Sequence, residues 1–277
     1  MFSVNTNVGA SVALQNMSVT SAGLEKVQTR ISTGYAVSSS KDNSAFYAIA
    51  QNIRSQVSGL TAATNSMNNA KSLIDVALSA TEAVQNLAIQ AKAKIVAASD
   101  VGLDQESRDA LLTDYNAINS QIDSLAKNAI FNGKNLLTDA TATASAIINE
   151  DGTSTITASG DDLTLRGGGN TIEMSMSLAL GSNAAAAAAE VTLVENTITN
   201  LHTLQSSFAS TSIQIDGQLE FTQAITDTLN AGIGNLVDAN MAHESAKLQA
   251  LQVKQQLGLQ ALAIANQAPQ SVLSLFR

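Results

Sequence analysis

The chain has 277 residues, of which 45% are hydrophobic, 13% charged and 3% aromatic, with one proline and no cysteine. That length permits one large domain or two or three small ones with a sizeable core, and the lack of cysteine excludes disulfide staples and thiolate metal sites. A net charge of −9 opposes a nucleic-acid or anionic-membrane binder, which needs a basic face.

The first residues, Met-Phe-Ser-Val-Asn-Thr-Asn, carry no basic n-region and no apolar h-region, so no secretory signal peptide is expected. From residue 5 to about 130 there is no proline and little glycine. Apolar residues recur at helical spacing through Ile49, Ile53, Val57 and Leu60, then Leu73, Ile74, Ala77, Val84, Leu87 and Ile95. A break near Ala98-Ser-Asp-Val-Gly102 precedes a helix striped by Leu111, Tyr115, Ile118, Ile122 and Leu125. Phe131-Asn-Gly133 reads as its left-handed stop. Between about 140 and 182 the pattern alternates in period two through Ser154–Thr157, Leu163–Leu165 and Ile172–Met176, with turns at Glu150-Asp-Gly152, Gly160-Asp-Asp162 and Gly167-Gly-Gly-Asn170. The acidic residues gathered here, Asp139, Glu150, Asp151, Asp161, Asp162, Glu173, Glu190 and Glu195, read as a solvated surface. After the alanine run 184–189 a helix extends to about Asn230, Gly232-Ile-Gly234 reads as a hinge, and a last helix runs from about Val237 to Ala268, stopped by Pro269. The fold class is therefore mainly α: long antiparallel helices from both chain ends, with a small β insertion in the middle. The most apolar stretch, Leu257 to Ala265, is far shorter than the roughly 20 residues a bilayer needs, so no membrane span is expected.

The terminal helices carry one apolar stripe too many. On a wheel of about 100° per residue, Leu248, Leu251, Leu259 and Leu262 share one face of the last helix, while Val253, Leu257 and Ile264 fall opposite. In the first helix Ala10, Ala13, Met17, Leu24, Val27 and Ile31 make one stripe, and Val4, Val8, Val12 and Val19 another. A surface helix needs one. Pairing the two helices satisfies one stripe each and leaves a patch larger than monomers tolerate. The sequence asks for further subunits, or else for a large helical bundle that buries both stripes within one chain. A solitary copy is expected to order its ends only on assembly.

Arg30-Ile-Ser-Thr-Gly34-Tyr35, followed by Ser38-Ser-Ser-Lys41-Asp42 and Ala48-Ile-Ala50, resembles the N-terminal signature of bacterial flagellins. Ala239-Asn-Met-Ala242, Glu244-Ser-Ala246 and the run Ala265-Asn266-Gln-Ala-Pro269-Gln-Ser-Val-Leu-Ser-Leu-Phe276-Arg277 are similar to the C-terminal one. The resemblance covers about 1–138 and 185–277. It implies a filament subunit exported unfolded through the flagellar type III apparatus, secreted, and assembled with copies of itself or sister flagellins. Flagellar cap, junction proteins and an export chaperone are the further partners it implies. It also implies a terminal coiled coil from 1–38 and 238–277, a helical inner rod from 39–138 and 184–237, and a small outward β-rich segment at 139–183. Ser and Thr of that segment are implied acceptors of O-linked sugars, with no position singled out. The polymer interface then comprises Val4, Val8, Val12, Met17, Val19, Leu24, Ile31, Leu248, Leu251, Val253, Leu257, Leu259, Leu262, Ile264 and Phe276. One departure stands out: the Arg-x-Arg-Glu-Leu run read by the animal innate receptor is here Ala83-Val-Gln-Asn-Leu87, so evasion of that receptor is expected.

Catalysis finds no support. His243-Glu244-x-x-Lys247 lacks the second histidine of a zinc helix, and zinc needs at least three protein ligands. Gly167-Gly-Gly169 has no following Lys-Ser/Thr and is no phosphate loop. Adjacent Asp161 and Asp162 diverge in a turn, and two histidines nominate no triad. No cofactor is expected. Arg30, Lys41, Asp42 and Arg54 are candidates for ion pairing, of small worth if exposed. Two rivals to the filament subunit are a hook–filament junction protein and a cytoplasmic coiled-coil signalling hairpin; the latter should have unbroken heptads through its tip and no β insertion.

Overall fold

The structure is a computed structural model that describes residues 6–164, 170–175, 177–179 and 181–274, and for 268–274 the backbone alone. The elements in chain order are α1 (Val8–Thr33), α2 (Ser44–Ala98), α3 (Gln105–Asn128), β1 (Thr143–Ile147), β2 (Thr155–Ser159), α4 (Ala184–Val237) and α5 (Met241–Ser274). They form two compact units. One holds 1–55 and 228–277, the other 56–227. No helix of the described residues is long and apolar enough to cross a membrane.

Each helix begins at an Asn or Asp whose side chain accepts an amide of the first turn, the preferred N-cap chemistry. Asn7 accepts from Ala10, Asn43 from Ala45 and Phe46, and Asp104 from Ser107. Asn183 accepts from Ala186 and Asn240 from His243. Gly34 closes α1 in the left-handed conformation, φ 76°, and its amide bonds to the carbonyl of Arg30. A residue with a Cβ would be strained at that angle.

In the larger unit the buried positions step by alternating three and four residues. On α2 they include Leu60, Ala63, Met67, Ala70, Ile74, Ala77, Thr81, Val84, Ala88, Ala91, Ile95 and Ala98, with Leu73 and Leu87 buried beside them. On α3 they include Leu112, Tyr115, Asn119, Ile122 and Ala126, and on α4 Val194, Thr197, Leu201, Leu204, Phe208, Thr211 and Ile215. That heptad spacing is the pattern of coiled-coil seams. Ile49, on the α2 stripe by periodicity, is exposed. The β insertion is a two-stranded antiparallel hairpin, Thr143 opposite Ser159 and Ile147 opposite Thr155, which turns Ala144, Ala146 and Ala158 inward.

Several sequence readings change. Phe131-Asn132-Gly133-Lys134 is not the end of α3, which stops at Asn128. It is a tight turn with reciprocal Phe131–Lys134 hydrogen bonds and positive φ at both central residues, 48° and 76°, the Asn-Gly signature of a type I′ turn. Strand β1 went unread because its Thr-Ala-Ser-Ala sequence has too little apolar contrast. The segment at Ile172 alternates as expected, with Ile172 and Met174 buried, yet among the described residues it joins no sheet. Helix side chains serve its backbone instead. Asn116 both donates to and accepts from Leu178, Asn119 donates to the Ser175 carbonyl, and Thr197 accepts the Glu173 and Met174 amides. Leu165–Gly169 and Met176 lie outside the described residues. Glu190 is no solvated acid. It is 3% exposed and accepts from the Tyr115 hydroxyl at 2.7 Å and from the Ser175 amide and hydroxyl.

Two helix ends also move. Gly232 and Gly234 do not break the helix, because α4 runs through both to Val237 and the gap before α5 is Asp238–Asn240. Nor does Pro269 stop the last helix, which reaches Ser274. Proline in a helix removes one amide donor and disturbs the turn before it.

Candidate assembly surface on the terminal helices

Helices α1 and α5 pair antiparallel. The packed face of α1 is Ala10, Ala13, Met17, Thr20, Leu24, Val27 and Ile31; that of α5 is Glu244, Leu248, Leu251, Gln255, Gly258, Leu262 and Ala265. Both step by three and four residues without a skip. Contacts fix the alignment: a Cβ on Gly9 would stand 3.8 Å from the Ala265 Cβ, and one on Gly23 3.6 Å from Leu251. Arg30 Nη1 donates to Glu244 Oε1 at 3.0 Å. From Gly9 to Gly23 is fourteen residues and from Gly23 to Arg30 seven, matched by the same steps back along α5. The register holds for the length of the pair.

The first sequence stripe on α1 is thus the packed one. On α5 the seam includes Gln255 and Gly258, which apolar periodicity missed, and omits Leu259, which is exposed. Counting at 3.6 residues per turn drifts off a 3.5-residue seam, and that drift placed Leu259 with Leu251. Glu244, which belongs both to the rejected zinc-helix spacing and to the Glu244-Ser-Ala246 stretch of the C-terminal resemblance, is the buried partner of Arg30, 6% exposed at its side chain.

The second stripes are uncovered. Val8, Val12, Val19, Val253, Leu257 and Ile264 keep between 51% and 72% of their surface exposed. Val4 and Phe276 lie outside the described residues. Between α1 and α5 a groove of about 340 Å³ opens among Ala13, Met17, Thr20, Leu257, Gly258 and Ala261.

Below the paired helices the chain doubles back twice. The Ala36 and Val37 amides bond to the Val237 carbonyl, the Ala239 amide to the Gly34 carbonyl, and Tyr35 bridges Asp238. Asp42 accepts from the amides and hydroxyls of Ser38 and Ser39 and lies 3.4 Å from Lys26. These bonds, the Ser38 hydroxyl first, hold its carboxyl below the usual aspartate range. Arg54 stacks over the Tyr35 ring at 5.8 Å. Lys41 and Asn266 are exposed. Arg277 lies outside the described residues. Among the described residues no group of three or more His, Cys, Asp or Glu could hold a metal.

Comparison with known proteins decides the family. Residues 4–142 match the bacterial flagellin N-terminal helical region, and 191–276 the bacterial flagellin C-terminal helical region. Flagellin FljM of Caulobacter vibrioides is 42% identical over 99% of this chain and 98% of its own length. Flagellin FljK of the same organism is also 42% identical, and a flagellin of Brucella melitensis is 34% identical over the whole of both chains. The chain belongs to the bacterial flagellins. It is a structural subunit of the flagellar filament, from a family of structural proteins rather than enzymes. Seen in a flagellin, the signature residues Arg30, Gly34, Tyr35 and Asp42 have physical tasks: an ion pair, a helix stop, a backbone bridge and a loop clasp.

Proposed function

We propose that this flagellin joins its neighbours through the second stripes: Val8, Val12 and Val19 on α1, and Val253, Leu257 and Ile264 on α5, with exposed Leu259 contributing from the other flank of the α5 seam. The observation that carries this reading is their exposure combined with their phase. On each helix the three residues are spaced by four and then seven positions, so each stripe is a heptad seam awaiting another helix. Burying such a side chain contributes about 1.5–3 kcal/mol, enough in sum to drive association. Met17, Leu24, Ile31, Leu248, Leu251 and Leu262 serve the interface indirectly, by holding α1 against α5.

The same reading assigns 1–38 and 238–277 to the central coiled coil, 39–138 and 184–237 to the rod, and 139–183 to the outside. It places the assembled protein outside the cell after export. Sister flagellins, the cap, the junction proteins and an export chaperone are its partners. Recognition by the innate receptor is not part of it: Val84 and Leu87 are buried, and Ala83, Gln85 and Asn86 carry no charge.

Replacing Leu257 or Ile264 with Asp tests the interface. Purified variant should fail to grow on filament seeds in electron micrographs, while its circular dichroism keeps the helical signal of the 56–227 unit. Filaments of normal length from either variant would refute the second-stripe interface.

A further inference from the structure

Pro269 has no amide hydrogen, so the carbonyl four residues earlier in α5, that of Ala265, lacks its helical donor. In the structure that carbonyl accepts a hydrogen bond from Asn7 Nδ2 at 2.7 Å, across 258 residues of sequence. The other end of the same amide is also engaged, since Asn7 Oδ1 accepts from the Ala10 amide at 3.0 Å as the cap of α1. A carbonyl on one side and an N–H on the other leave only one orientation for the amide. We infer that Asn7 is a positioning residue for assembly, which locks the axial register of α1 against α5 by supplying the hydrogen bond that Pro269 withholds.

The seam at this contact discriminates register weakly. Ala10, Ala13, Gly258 and Ala265 are small, with Met17 and Leu262 the larger residues between them, so a slip of one heptad that sets Gly258 in the place of Ala265 still sets small against small at this level. Polar pairs are the usual device that forbids such slips in coiled coils. A slip of seven residues moves one helix along the other by roughly 10 Å at about 1.5 Å per residue. The two exposed stripes, one on each helix, would then no longer line up as a single surface. A proline inside α5 therefore has a use: it leaves one carbonyl open at one level, and only a donor at that level can fill it. Aspartate caps as well as asparagine but has no donor, and serine caps with a side chain too short to serve both helices. This inference rests on the terminal helices being the assembly surface.

A cycle of variants separates the lock from the cap. Asn7→Asp and Asn7→Ser each keep an N-cap side chain. With Pro269 present, each should raise the protein concentration needed for seeded growth about tenfold, the size expected for an unmet acceptor in a part-buried seam. In a Pro269→Ala background the helix supplies its own donor, and the same Asn7 changes should have little effect. A penalty that is the same in both backgrounds overturns the inference. Register itself is read with cysteines, since the chain has none. Gly9→Cys with Ala265→Cys places two Cβ atoms about 3.8 Å apart, a separation that suits a disulfide. Under diamide these should cross-link within one chain in filaments. Adding Asn7→Asp should cut that yield and raise the yield of Gly9→Cys with Gly258→Cys, one heptad away. An unchanged 9–265 product in Asn7→Asp filaments, or no such product with Asn7 intact, overturns the lock. Failure of Leu257→Asp to block growth strikes the assembly surface instead and leaves both readouts in place.

Discussion

At the scale of single residues, the polar groups on helix seams are fixed tasks. Arg108 is 4% exposed and sends its guanidinium to the carbonyls of Ala98, Asp100 and Leu103, where α2 ends. The fork suits this, since it satisfies orphan carbonyls and places a cation at a helix C-terminus. The Arg30–Glu244 pair is more exposed to loss. Glu244→Ala should lower the unfolding free energy of the paired termini by about 2 kcal/mol, because the guanidinium then faces an apolar seam with no anion. Changing both residues to Met should restore most of the loss, as read from denaturation midpoints of the filament. An equal loss in the double variant would mean that the pair itself, rather than the stranded cation, carries the energy. Asp42 gives a pH test. Its carboxyl titrates below its ordinary 3.8 in the folded loop, chiefly because of the Ser38 hydroxyl. A depressed folded pKa adds stability that is complete above the unfolded value and lost as pH falls through the folded one. The Ser38 and Ser39 amide resonances should therefore shift with a midpoint under 3.8, and should not titrate in Asp42→Asn. A midpoint at or above the ordinary value would remove the clasp.

At the scale of elements, close backbone approach marks where side chains cannot go. A Cβ on Gly160 would meet the Leu136 carbonyl oxygen at 2.6 Å, that of Ala142 at 3.0 Å and that of Asp139 at 3.1 Å. Those oxygens are already committed: Leu136 accepts from Asp161, and Ala142 from Gly160 itself. Gly160→Ala should cost about 2–3 kcal/mol, seen as a lower urea midpoint, whereas Gly232→Ala meets nothing within 4 Å in α4 and should change little. Equal behaviour of the two would show that the hairpin can give way. The contrast also shows what the sequence displayed and what it hid. Long helices, the breaks near 100 and 140, and the packed stripe of α1 were legible, because apolar periodicity is a local signal. Gly232 looked like a hinge and Pro269 like a stop because propensity is a weak prior that tertiary packing overrides. Seam residues such as Thr20, Gln255 and Glu244 were hidden because a heptad seam is defined by its partner, not by hydrophobicity alone. The exposed stripes of the candidate surface were legible for the converse reason: valines and leucines opposite a complete seam have no use inside one chain.

At the scale of the whole molecule, the core is unevenly shared. The contiguous hydrophobic cluster runs from Met67 to Ile215 and lies wholly within the 56–227 unit. In the other unit the described buried hydrophobics are Val27, Ala50, Ile233 and Val237. Exposed Val8, Val12, Val19, Leu257 and Ile264 outnumber them. Stability on that scale follows burial, so a solitary copy should open its terminal unit far more often than its larger one. Polymerisation binds the closed form and raises its stability by mass action. A lysine-specific protease distinguishes the two states. In the isolated chain Lys26, Lys41, Lys247 and Lys254 should be cut well before Lys71, Lys92, Lys94 and Lys127, which sit on helices of the larger unit and pair with Asp216, Glu195, Asp114 and Asp123. Mass spectrometry should then find a resistant piece spanning 42–247, whole or nicked at Lys134 in the exposed Phe131–Lys134 turn. In filaments the four terminal sites should be protected as well. Equal rates at these eight lysines in the solitary chain would place enough stability in the termini to stand without neighbours, and would take away the reason for their exposed stripes to assemble.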